Sequence, residues 1–93
     1  MAGAEKDVLK DFLKEVGKNI RKYRLERDMT MEDLGLEVGL DRMNINRIEK
    51  GLNMTLSTIL KISIALDLKP YELLKIAAIL FNHSTIHKHR KVV

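Results

Sequence analysis

Apolar residues recur at three- and four-residue steps along most of the chain, a pattern typical of amphipathic helices. The first such series predicts a helix over residues 4–27 and comprises Val8, Leu9, Phe12, Leu13, Val16, Ile20 and Tyr23. Gly17 interrupts this series. Because a helical glycine costs up to about 1 kcal/mol, we expect a close packing contact there. Before Phe12 the segment could be a separate short helix or an extension that packs on a partner.

Residues suited to helix termini divide the next part of the chain into two short helices. Thr30 is a good N-cap, and Asp33 follows as a shortened version of the capping-box acid. Gly39 supplies the left-handed conformation that ends this second helix. Asp41 then caps a third helix, predicted over residues 42–50.

Two further helices complete the predicted fold. Gly51 ends the third helix, and Thr55 caps a fourth that runs through Leu66. Pro70 begins a fifth helix, which we expect to reach Asn82. In the fourth helix the predicted buried positions are Leu56, Ile59, Leu60, Ile62 and Leu66. The sequence therefore predicts an all-α fold, a compact bundle of about five helices.

The second and third helices have the pattern of a helix-turn-helix unit at the centre of this bundle. Gly35 is small enough to let the third helix approach the second. The inward positions are apolar, namely Leu34, Val38, Leu40, Ile45 and Ile48. A generic αα-hairpin of some other bundle is the alternative.

Composition and charge narrow the interpretation. Ninety-three residues suffice for one domain. We place a helix-turn-helix domain with a C-terminal dimerisation helix at residues 1–82 and a basic tail at residues 83–93. Without cysteine, a secretory signal or a long apolar run, we expect a cytoplasmic protein. Residues 1–40 carry eight Lys and Arg against nine Asp and Glu, whereas residues 41–93 carry nine against four. The basic half indicates an anionic partner, unless it is only a solvated lysine surface.

Three segments of the chain resemble the phage-repressor/Cro type of helix-turn-helix regulator, also called xenobiotic-response-element-like. They are VGKNIRKYR, DLGLEVGLDRMNINRIEKG and STILKISIALDLKPYELL. The resemblance runs from Val16 to Leu74 and implies a lambda-repressor-like DNA-binding domain. It also implies that Arg24 pairs with Glu49. The string GLDRMNINRIEKG is more similar still to controller proteins of restriction–modification systems, small homodimers that regulate their own operons. Phage, plasmid and antitoxin repressors share most of these residues.

The third helix carries the residues that we expect to contact bases. Because Ile45 and Ile48 face inward, helical geometry turns four other residues outward. These are Arg42, Met43, Asn46 and Arg47, and Asn44 lies beside them. Arginine can pair with guanine, asparagine with adenine, and methionine can contact a thymine methyl group. The alternative is that these side chains merely face solvent.

Phosphate contacts are expected from the flanks of this helix. The candidates are the amides around Thr30 and Met31, together with Lys50, Asn53, Thr55 and Ser57. Many relatives have a phosphate-binding glutamine where this chain has Met31, which can neither bind a phosphate nor steady a neighbour. We therefore expect Asp41 or Asp33 to hold Arg42.

The fifth helix offers an apolar seam for a second copy of the chain. Its members are Leu73, Leu74, Ile76, Ala77, Ile79, Leu80 and Phe81. Residues 8–12 could extend the seam, and the alternative is that all of it packs internally. A dimer would read half-sites one helical turn apart in a palindromic double-stranded operator.

The remaining features carry no predicted chemistry. His83, His87 and His89 lack nearby acidic residues or cysteine, so we expect no metal site. The tail could be a basic arm on DNA, a strand paired across the dimer, or disordered. Without a phosphate loop, nucleophile motif or carboxylate cluster, we expect neither a cofactor nor an enzyme. The sequence favours a homodimeric DNA-binding transcriptional regulator, a repressor or autoregulatory controller. The alternative is an antitoxin or other protein-binding module on the same fold.

Overall fold

The structure is a computed structural model and describes residues 3–76. Five helices make up this part of the chain. They are α1 (Gly3–Glu26), α2 (Met31–Val38), α3 (Arg42–Glu49), α4 (Leu56–Ala65) and α5 (Pro70–Leu74), and this range contains no strand. The all-α prediction with five helices is confirmed. The helix boundaries agree within a residue for all but the end of α5. None of the described helices is long and apolar enough to cross a membrane.

One apolar core holds the five helices together. Its buried members are Val16, Ile20, Leu34, Val38, Ile45, Ile48, Ile59, Ile62, Leu66 and Leu73. The predicted inward positions of α2 and α3 are all among them except Leu40, which is half-buried and packs against the core. α1 runs unbroken from Gly3 to Glu26, so the segment before Phe12 is not a separate helix.

The caps of α2 and α3 form as predicted. Thr30 accepts a hydrogen bond from the Asp33 amide at 3.0 Å and donates its own amide to the Asp33 carboxylate at 2.8 Å. Asp41 accepts a hydrogen bond from the Asn44 amide at 2.8 Å. Gly39 adopts the left-handed conformation, with φ of 75°. These local contacts fix where each helix of the unit begins and how the chain turns between them.

Two glycines allow close backbone contact around α3. A Cβ atom on Gly17 would collide with the carbonyl groups of Ile48 and Glu49 at the end of α3. A Cβ atom on Gly35 would collide with the carbonyl oxygen of Leu40, in the turn that leads into α3. Both predicted close approaches are therefore present, and α3 is packed against backbone at both of its ends.

The buried face of α4 differs from the prediction. Thr55 caps the helix by accepting from the Thr58 amide at 3.1 Å, as expected. Leu56 and Leu60, however, are 83% and 51% exposed, so their predicted burial is wrong. Apolar residues lie all around α4, and the spacing alone does not select the face that packs.

The fifth helix is shorter than predicted. It ends at Leu74, and Lys75 is extended with ψ of 119°. The Asn19 side-chain amide donates to the carbonyl oxygens of Leu73 at 2.9 Å and of Lys75 at 2.6 Å, which fixes this end on α1. Leu73 is fully buried in the core and so cannot belong to an intermolecular seam. The predicted extension to Asn82 falls on residues 77–82, outside the described part of the chain.

Candidate nucleic-acid interface

The outward face of α3 presents the side chains predicted to contact bases. Arg42, Met43 and Arg47 are exposed, and Asn44 and Asn46 are half-buried beside them. Ile45 and Ile48 anchor the opposite face in the core. Two guanidinium groups and two amides thus lie on or next to one surface of an eight-residue helix. Such groups can pair with guanine and adenine in the major groove.

Arg42 is held by a residue that the sequence did not indicate. Its Nε lies 3.1 Å from Oε1 of Glu32, in the first turn of α2. The expectation that Asp41 or Asp33 would hold Arg42 is therefore wrong. Both of those carboxylates are engaged as helix caps instead.

The Asp33 cap is an ionised carboxylate under neutral conditions. The hydrogen bond from the Thr30 backbone amide, reinforced by the Thr30 side chain, lowers the pKa of Asp33 below its ordinary value. Glu32 supplies the carboxylate at the N-terminus of α2 that pairs with Arg42. The Glu32–Arg42 pair is exposed on both sides and contributes little to stability. In this structure the Arg42 side chain is turned toward α2 by the contact.

The N-terminus of α2 and the start of α3 border one shallow groove of about 540 Å³. Thr30, Met31, Glu32 and Arg42 line it. Thr30 is exposed, whereas the Met31 side chain is half-buried and packs against the core. What Met31 offers at this groove is consequently its backbone amide at a helix N-terminus, a position suited to an anion.

A buried ion pair ties α1 to the end of α3, as the family resemblance implied. Arg24 Nε lies 2.6 Å from Glu49 Oε2, and Arg24 Nη2 lies 3.0 Å from Oε1. Arg24 also donates to the Met29 carbonyl oxygen at 2.8 Å. The hydrogen bond to Glu49 raises the pKa of Arg24. Both side chains are at least nine-tenths buried, so the pair fixes the position of α3 relative to α1.

The second group of predicted phosphate contacts lies at the opposite end of α3. Lys50, Asn53, Thr55 and Ser57 are all exposed along the α3–α4 connection. Gly51 has φ of 89° and donates to the Ile48 carbonyl oxygen at 2.9 Å, so the chain reverses immediately after the helix. The predicted contacts thus form two groups, separated by the length of α3, about 12 Å.

Two lysines of α1 also lie at this second end. Lys14 and Lys18 border a groove of about 380 Å³ together with Glu49 and Lys50. Sequence reasoning did not assign them a role, although their four-residue spacing placed them on neighbouring positions of one helix surface. Their proximity to Lys50 depends on the packing of α1 against α3.

Comparison with known proteins agrees with this geometry. Residues 20–73 match the HTH_3 family, described as helix-turn-helix. The restriction-modification controller protein C.AhdI from Aeromonas hydrophila is 38% identical, with a TM-score of 0.62, over 68% of this chain and 96% of that one. The hypothetical transcription factor NHTF from Neisseria is 31% identical, with a TM-score of 0.66, over 78% and 84% of the two chains. No curated protein matches the chain. The chain belongs to the HTH_3 family of helix-turn-helix DNA-binding transcriptional regulators.

Proposed function

We propose that the protein reads operator DNA by placing α3 in the major groove. The observation that carries this proposal is the outward face of α3, where Arg42 and Arg47 are exposed and Glu32 orients Arg42. The proposed base contacts are Arg42, Met43, Asn44, Asn46 and Arg47. A protein-binding surface would have no need of two arginines and two amides at the positions from which base edges are read.

The flanks of α3 hold the proposed phosphate contacts. At its start these are the amides of Thr30 and Met31, at the N-terminus of α2. At its end they are Lys50, Asn53, Thr55 and Ser57. Contacts on both sides would fix the register of α3 in the groove without reading sequence themselves.

The protein acts, in this proposal, as a homodimer that represses or controls its own operon. A single helix of eight residues reads too few base pairs for useful specificity, and two-fold related helices one turn apart read twice as many. Leu73 lies in the core and Leu74 is half-buried against it. The proposed seam is thus left to Leu74, Ile76, Ala77, Ile79, Leu80 and Phe81. The controller role is supported by the similarity to C.AhdI, which is described as a restriction-modification controller protein.

Selection of bound sequences from a random duplex pool tests the proposal, followed by a salt titration on the enriched sequence. Enrichment of a palindrome with half-sites about 34 Å apart is expected. Retention of DNA without enrichment, with affinity falling steeply as salt rises, would indicate an electrostatic binder without sequence preference. Failure to bind any duplex at low salt would favour a protein-binding module instead.

A further inference from the structure

The lysines of α1 follow a regular spacing that the proposed function does not use. They occupy every fourth position, at Lys6, Lys10, Lys14, Lys18 and Lys22. The first three are each followed directly by an acid, Asp7, Asp11 and Glu15. Because residues four apart are turned by about 40°, the lysines form one row that winds around the helix, and the acids form the neighbouring row.

The lysine line lies along the end of α3. Lys6 and Lys10 border a groove of about 540 Å³ with Gly51 and Leu52, and Lys14 and Lys18 border the groove with Lys50. A Cβ atom on Gly51 would lie 2.9 Å from the Lys14 backbone nitrogen, so α1 and the chain after α3 are in direct contact. We call Lys6, Lys10, Lys14, Lys18 and Lys50 the lysine strip.

Carboxylates of α1 lie beside this strip, and Asp7 borders the same groove as Lys6 and Lys10. Within residues 3–76 its one ion pair is Lys18 with Glu15, at 2.9 Å. Glu49, the acid that borders the same groove, is already bound to Arg24. All five lysines are exposed. Within the described residues the other four lysines form no ion pair, so their ammonium groups can pair with the phosphates of a polyanion.

We propose that the lysine strip binds phosphates of the DNA backbone beyond the end of α3. The inference rests on the proposed function, because a recognition helix that enters the major groove by its N-terminal residues leaves its C-terminal end at the edge of the groove, next to phosphates. From Lys6 to Lys18 the helix rises about 18 Å. That length follows several phosphates of one strand, which lie about 3.4 Å apart along the axis. Most of the strip precedes residue 20, where the family match begins, so the family match does not include it.

The inference is tested by replacing three lysines of the strip with glutamine and comparing the loss of DNA affinity with that of a control variant, which loses three lysines elsewhere. The test variant combines Lys6→Gln, Lys10→Gln and Lys14→Gln, and the control combines Lys61→Gln, Lys69→Gln and Lys75→Gln, on α4 and the residues after it. Affinity is measured by fluorescence anisotropy on a duplex carrying the operator that the native protein selects. The duplex extends past each half-site by about one helical turn. Circular dichroism checks that both variants fold, as their exposed positions lead us to expect.

The test variant should bind about tenfold more weakly or worse at about 0.1 M salt, and its slope of log affinity against log salt should fall by about 2 to 3. Its ratio of operator to random-duplex affinity should stay unchanged, because the strip contacts no base. The control should bind like the native protein. An unchanged salt slope in the test variant, or equal losses in both variants, would overturn the inference while leaving the proposed function in place. If the native protein itself binds no duplex, both are wrong.

Discussion

Two glycines of α1 have opposite surroundings, although both are helical. Gly17 lies against the carbonyl groups of Ile48 and Glu49, whereas nothing lies within 4 Å of a Cβ atom added to Gly3. Gly17 is therefore needed for the distance between α1 and α3, and Gly3 is not. The position of α3 depends on the absence of a methyl group at residue 17.

Gly17→Ala should destabilise the fold by about 1–3 kcal/mol, since backbone on both sides must shift to accept the new methyl group. Gly3→Ala is the matched control and should be neutral or slightly stabilising, as alanine favours a helix. Urea unfolding followed by circular dichroism measures both. Equal free energies of unfolding for the two variants would show that the Gly17 contact does not constrain the packing.

Residue-scale prediction from the sequence succeeded where the interaction is local. Thr30, Asp41 and Thr55 were identified as caps because each bonds an amide only three residues ahead. The pairing of Arg42 with Glu32 was missed because it joins the first turns of two separate helices. Its geometry follows from how the helices cross, and spacing along the chain does not reveal it.

At the scale of the elements, the Arg24–Glu49 pair connects the first helix to the third. Its two hydrogen bonds lie in a nearly water-free environment, where a charge left without its partner is strongly unfavourable. The pair is therefore better understood as a constraint on the orientation of α3 than as a large net gain in stability.

Glu49→Leu should lower the free energy of unfolding by about 3–5 kcal/mol, because Arg24 is then buried without a counter-charge. The double variant Arg24→Met, Glu49→Leu should recover most of this loss, since neither charge remains. Urea unfolding of the single and double variants makes the comparison. If the double variant loses as much free energy of unfolding as the two single variants together, the two side chains do not depend on each other and the interpretation is wrong.

Element boundaries set by distant contacts could not be predicted. The end of α5 at Leu74 is fixed by Asn19, more than fifty residues earlier in the chain. The apolar sequence after Pro70 gave no signal for that stop. In α4 the choice of Ile59 and Ile62 over Leu60 as buried residues likewise depends on which helices pack beside it. Periodicity identified the helices, but the predictions made from it for these two details were wrong.

At the scale of the whole molecule, specificity in this account depends on dimerisation. Because Leu73 lies in the core, the seam proposed from the sequence is confined to Leu74, Ile76, Ala77, Ile79, Leu80 and Phe81. The structure also leaves Leu36 85% exposed on α2, an exposed leucine outside that seam.

Sedimentation velocity should find the native protein as a dimer at micromolar concentration. Leu80→Glu combined with Phe81→Glu should give a monomer that binds the operator more weakly, since burying two carboxylates in an apolar seam is unfavourable. Leu36→Glu introduces one carboxylate at an exposed site outside the seam and should leave the dimer intact. A native protein that sediments as a monomer would contradict the proposed assembly.

The most direct test of the account is the affinity of Arg42→Ala for the operator and for operators with single base-pair changes. We expect a loss of about 1–3 kcal/mol that is confined to one or two base positions, where the variant no longer discriminates. Lys50→Ala, at a proposed phosphate contact, should instead weaken binding to every sequence alike. A uniform loss for Arg42→Ala would contradict the claim that the face of α3 oriented by Glu32 reads bases.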